Sequence, residues 1–354
     1  MKYSRRQFGK TALIELLAAG LTARFGAPTL LNALARVPSE ALSRRIGTIS
    51  YSFKELKRTV GEAQWPEVLQ GCHECGLSYL EIEIAKVEPI RTLISAPRPP
   101  VPPQQTAAVG TPYGTACVPP ARPPTTPATP LSAADEATLE STLAKAREEI
   151  RQFREDPPPG YYSNIRKQAA DLGITINAYT CGWGADYTDR EVDAVFTAAK
   201  ELGAKAINSS SSAEMAERLA PFANKHQFPV AFHEHLFGLF GDADDYADTL
   251  ALSKYFRINF DIGHFTSSCG NAVAFIERYH DKIASVHIKD YKLQNGGSMP
   301  WGDANSPIKP VAQLLKKLGF PSVITIELDY PISAGSNSIV EIKKCAQYLR
   351  DALA

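Results

Sequence analysis

A chain of 354 residues with 44% hydrophobic content has enough apolar mass for a full core, and one catalytic domain with extensions accommodates it better than two small domains. Lys plus Arg and Asp plus Glu both number 38, so the formal charge is zero and no global field draws the chain to nucleic acid or to an anionic membrane. That balance points to a small, largely neutral substrate.

The N-terminus reads as an address. Ser4-Arg5-Arg6-Gln7-Phe8-Gly9-Lys10 precedes a modest apolar stretch, Thr11 to Leu21, which is too short for a stable transmembrane helix. The pattern resembles the bacterial twin-arginine export signal, with Glu15 a mild departure, and Ala33-Leu34-Ala35 is a small-residue cleavage site. The resemblance implies a signal over 1–35, recognition by the export machinery, and a mature periplasmic or otherwise exported chain over 36–354. Six cysteines are scattered rather than framed, and Cys72 and Cys75 lie where a helix ends before Gly76, as buried thiols.

In chain order, Ile46 to Phe53 alternates as a first strand, Trp65 to Cys75 follows as a helix, and Leu77 to Ile84 alternates as a second strand with Glu81 and Glu83 on one face. From about 95 to 130 the composition turns to Pro, Thr, Ala and Gln, a surface excursion in the second βα loop that buries too little to order itself. A charged helix, Ala133 to Glu155, ends at three prolines. Strand and helix then repeat: helices over Tyr162–Leu172, Asp189–Leu202, Ala213–Lys225, Tyr246–Leu252, Ala272–Tyr279, Ile308–Leu318 and Ile339–Leu353. Strands begin near 174, 204, 229, 258, 284 and 323, bringing the count to eight. Regular βα spacing of this kind predicts an α/β fold, a (β/α)₈ TIM barrel.

Three late stretches end in an acid or an imidazole: Asn259 to His264, Ser285 to Asp290 and Val323 to Asp329. The C-terminal ends of barrel strands meet at one mouth, so Asp261, His287 and Glu327 converge there, and their mixed oxygen and nitrogen donors suit a divalent metal.

With Glu81, the motifs Asp261-Ile262-Gly263-His264, His287-Ile288-Lys289-Asp290 and Ile326-Glu327 resemble the xylose isomerase-like TIM-barrel superfamily of sugar isomerases, epimerases and endonuclease IV-type enzymes. The resemblance covers Ile46 to Ala354 apart from the Pro-rich insertion, and it implies one divalent ion (Mn²⁺, Zn²⁺, Co²⁺ or Mg²⁺) held by Asp261, His287 and Glu327. The family's fourth ligand, a Glu ending the fifth strand, meets Phe232-His233-Glu234-His235 here. Strand alternation puts His233 and His235 on one face with Ala231, so His233 is favoured as ligand or acid/base, with Glu234 the alternative.

Glu327 is expected as ligand and base, Glu81 as a support for the site or a substrate hydrogen bond, and Lys289 as a charge offset or partner of Glu327. His264 and His235 are expected to bind substrate, and Trp183 and Trp301 to stack on a sugar ring or to pack. These residues imply a metal-dependent sugar or keto-sugar isomerase or epimerase working through an enediolate. Alternatives are a lyase or hydratase on oxidised sugars, an endonuclease IV-type repair enzyme, for which the further metal ligands and a basic groove are lacking, and a non-catalytic sugar-binding barrel.

Overall fold

The computed structural model describes residues 42–93, 132–233, 243–294 and 296–354. The leader over 1–35, the insertion over 95–130, Glu234 and His235 lie outside the described residues.

Eight parallel strands close into a barrel in which each pairs with its sequence neighbours. They are β1 (Ile46–Ile49), β2 (Tyr79–Glu83), β3 (Thr175–Cys181), β4 (Ala206–Ser209), β5 (Val230–His233), β6 (Phe256–Asp261), β7 (Ile283–Ile288) and β8 (Val323–Ile326). β1 closes the ring against β8, with Gly47 opposite Thr325. Both faces are covered by helices or by the barrel's own interior, so β1, β4, β5 and β8 are buried at every position.

The helices are cut where their sequences supply stop and start signals. Trp65–Glu74 opens with Pro66 and buries Val68, Leu69 and Cys72. Asp189–Glu201 starts on a capping box in which Thr188 and Glu191 satisfy each other's backbone. Ile308–Leu318 buries Ile308, Val311, Ala312, Leu314 and Leu315 at helical spacing, and ends on Gly319, whose φ of 63° is the left-handed cap. Ser338–Leu353 completes the outer ring. Between helices and sheet, Phe260 stacks on Phe275 at 4.4 Å between ring centroids, and both are fully buried. Each such ring contributes about 1.5–3 kcal/mol through burial.

The helix Ala133–Glu155 is fixed to this frame by charge. Arg154 donates to both oxygens of Glu88 at 2.6 and 2.7 Å and to Glu191 at 3.1 Å, while Arg147 donates to both oxygens of Glu191.

The strands over Ser285 to Asp290 and Val323 to Asp329 end early, at Ile288 and Ile326, and three further elements differ from the sequence reading through a local competitor. The first strand stops at Ile49, and Ser50–Ser52 forms a 3₁₀ turn whose Ser50 hydroxyl donates to Glu83. The second strand stops at Glu83, and Ile84–Val87 turns helical. The stretch Asn259 to His264 is not one strand. It ends at Asp261, whose carboxylate accepts from the His264 N–H at 2.8 Å and caps a short helix, Ile262–Ser267. Gly263 is required there, because a Cβ would come within 2.5 Å of Lys289 Cγ.

Cys72 and Cys75 are buried and free, and burial pushes both thiols up to about 12. They are therefore inert as nucleophiles, as the helix-end reading anticipates. Among the described residues no helix is long and apolar enough to cross a membrane.

Candidate metal centre

Strand register assembles the site. Asp261 at the end of β6 lies opposite His287 on β7, and His287 lies opposite Thr325 on β8. Glu327 follows two residues later, tied by its N–H to the Ile288 carbonyl. His233 ends β5, one strand further round. One ligand atom from each of His233, Asp261, His287 and Glu327 lies within 4.8 Å of the others, and all four residues are buried. Two nitrogens and two carboxylate oxygens that close fit a divalent ion in chemistry and in spacing.

The rest of the charge is arranged around His287. One ring nitrogen, Nδ1, is 2.8 Å from Glu327 Oε2, and the other, Nε2, is 2.7 Å from Glu81 Oε2. Glu81 is itself held by the Thr180 hydroxyl at 2.5 Å. Burial works against a charged ring, but the attraction of Glu81 and the hydrogen bonds to Glu327 and Glu81 outweigh it and push the imidazole up to about 10.

Lys289 lies fully buried beneath them. Its ammonium is 2.8 Å from Glu327 Oε1, 3.0 Å from Asp261 Oδ2 and 2.9 Å from His264 Nε2. Burial opposes its charge, and Asp261, Glu327 and Asp329 raise its proton affinity well above the lysine range. For Glu327, burial favours the neutral acid, but Lys289 and His287 override it and hold the carboxyl well below its usual range.

A cavity of about 350 Å³ opens above this group, at the small end of the usual ligand-pocket range. Glu81, His233, His264, His287, Lys289 and Glu327 all line it. The two tryptophans do not. Trp183 packs on Phe196 and Tyr187 and donates its indole N–H to Ser209 Oγ at 2.7 Å, behind the cavity wall. Trp301 packs edge-on against Tyr348 and lines a separate groove.

Several lining residues were not singled out in the sequence: Tyr51, Thr180, Asn208, Ser209 and Asp329. The signal for them was position alone, at or just past the C-terminal end of a strand. Asp329, two residues after Glu327, accepts a hydrogen bond from the Tyr291 hydroxyl.

The family model described as "Xylose isomerase-like TIM barrel" matches residues 138–352, and the chain belongs to that family. Solved structures share the fold at low identity. An L-ribulose 3-epimerase superposes with a TM-score of 0.55 at 12% identity, covering 87% of this chain and 94% of its own. The 3-keto-D-glucoside 4-epimerase YcjR from E. coli gives 0.53 at 11% identity over 87% and 99%. The IolI protein with a bound zinc atom gives 0.54 at 12% identity over 87% and 98%. No curated protein matches the chain.

Proposed function

We propose that the chain is a divalent-metal-dependent enzyme that isomerises or epimerises a sugar or keto-sugar by removing a proton beside a carbonyl. The observation that carries this reading is the convergence of His233, Asp261, His287 and Glu327, three of which line a small cavity. These four residues would hold the ion, which supplies polarisation of a carbonyl and its neighbouring hydroxyl and so acidifies the C–H between them. The family's epimerase structures support the same class of chemistry.

The chain's own groups divide the remaining work. Glu327 reaches the cavity, stays ionised through Lys289 and His287, and is placed to take the proton. Lys289 offsets the negative charge that accumulates as the proton leaves, while Glu81 fixes the orientation of the His287 ring from behind. His264, hydrogen-bonded to Lys289, also lines the cavity and is offered to a substrate hydroxyl.

A second reading, loss of water from a keto-sugar, begins with the same proton transfer. It is favoured by one feature: the fifth strand presents His233 where the family resemblance implies a second carboxylate, so the two sides of the cavity are unequal. The paired arginines near the N-terminus support export of the folded protein, which N-terminal sequencing of secreted material would test.

The test is a ketose panel assayed in D₂O with the metal-loaded protein. Solvent deuterium entering the carbon next to the carbonyl, lost in Asp261→Asn, is the expected result. An enone product assigns the lyase reading instead. No exchange and no product on any ketose would contradict both.

A further inference from the structure

The cavity has two walls of different chemistry. On one side stand Glu81, Glu83, Glu327 and Asp329, with Asp261 beneath them. On the other, the end of β4 and the residue after it present Asn208, Ser209 and Ser210, which carry hydroxyls and an amide and no charge. Lys289 is the single ammonium lining the cavity among the described residues, and it is already within 3.0 Å of Asp261 and Glu327. Five carboxylates against one ammonium leave the cavity negative even with a divalent ion added.

Two lysines outside the lining have contacts of their own. The Lys54 ammonium lies 3.3 Å over the Tyr51 ring, and Lys86 donates to Gln64 at 3.2 Å. No guanidinium lines the cavity among the described residues. Among the described residues, a phosphate or carboxylate on the substrate therefore meets mainly like charge in this cavity.

The neutral wall carries a second observation. Asn208 is buried and lines the cavity, and its Nδ2 donates to Ser285 Oγ at 3.3 Å. Its Oδ1 is buried without a hydrogen-bond partner among the described residues. A buried acceptor left alone is costly, so the position is built for a donor that arrives from outside. Neighbouring Ser209 is held in place by the Trp183 indole and by Ser211 at 2.7 Å.

We infer that the substrate is an uncharged, unphosphorylated sugar, and that Asn208 Oδ1 accepts one of its hydroxyls on the wall opposite the acids. This inference rests on the sugar reading above and narrows it. It weighs against oxidised acid sugars and sugar phosphates as substrates of this site.

Isothermal titration of the metal-loaded protein with matched ligands tests it: D-fructose and D-xylulose against D-fructose 6-phosphate, D-xylulose 5-phosphate and D-fructuronate. The neutral ketoses should bind about a hundredfold more tightly than their charged partners. Asn208→Ala should weaken the neutral ketoses about tenfold, while Asn208→Asp, which keeps the acceptor, should hold them within a few-fold. Equal or tighter binding of a phosphate or the uronate by wild-type protein overturns the substrate class, with or without usable variants. Wild-type affinity for neutral ketoses that is unchanged in a folded Asn208→Ala overturns the role of Asn208. Binding of none of the five ligands overturns the sugar reading itself, an outcome distinct from either of the others.

Discussion

Two buried charge clusters in this barrel balance their charges differently. Between the helix Ala133–Glu155 and the sheet, Glu88 has both oxygens on Arg154, and Glu191 has both on Arg147 with further bonds from Arg154 and the Thr188 N–H. Guanidinium and carboxylate are matched, and the cluster is a clamp. At the mouth, Glu81, Asp261, Glu327 and Asp329 share one ammonium and the imidazoles. Negative charge is in excess there, and on the proposed reading a divalent cation meets it.

Breaking each cluster should therefore have different consequences. Arg154→Ala strands buried Glu88, while Glu191 keeps Arg147, and should cost about 3–5 kcal/mol, read as a fall in urea midpoint that no divalent ion restores. Lys289→Met should cost the metal-free protein about 3 kcal/mol for the same reason, yet saturating Mn²⁺ or Zn²⁺ should recover most of it, because the ion replaces the missing charge. Equal metal rescue of both variants would erase the distinction.

The pH dependence sharpens it. The raised His287 contributes stability that is complete below the unfolded imidazole's 6.5 and is lost as pH climbs through about 10. The depressed Glu327 contributes above its ordinary 4.5 and is lost as pH falls below that value. Melting temperature in EDTA should accordingly peak between about pH 4.5 and 6.5 and decline on the alkaline side. A bound ion should flatten that decline, since a ligating imidazole carries no proton to lose. Metal that leaves the alkaline limb unchanged would separate His287 from the ion.

Smaller effects lie at the margins. Glu81→Gln keeps the shape behind His287 but removes the charge that orients its ring, so metal affinity should fall about 10–100-fold in a titration against a chelator. Trp301→Ala should change kcat/KM by less than about threefold, since its ring packs on Tyr348 away from the cavity.

Much of this arrangement was legible in the chain. The eight-strand repeat follows from βα spacing, and Asp261, His287 and Glu327 stood out because acids and imidazoles at the ends of β-branched runs are conspicuous. His233 was placed by alternation, and in the structure it lies beside Asp261, His287 and Glu327. What the linear pattern concealed was pairing. That Glu81 faces the far nitrogen of His287 depends on strands 206 residues apart.

The neutral wall was concealed for another reason. Asn208 and Ser209 are residue types that end strands anywhere, and only the closed barrel turns them toward the acids. The aromatic reading of Trp183 and Trp301 went to packing because each found a ring partner, Phe196 and Tyr348 respectively. His264 was expected at the end of a strand and stands on a helix instead, since the Asp261 carboxylate captures its backbone N–H.

The central claim is that the mouth cluster holds one divalent ion. Elemental analysis of the purified wild-type protein beside folded Asp261→Asn and Glu327→Gln addresses it most directly. The account predicts close to one ion per chain in the wild type and almost none in either variant. A wild-type protein without metal after incubation with Mn²⁺, Co²⁺, Zn²⁺ and Mg²⁺, or variants that keep a full complement, would contradict it.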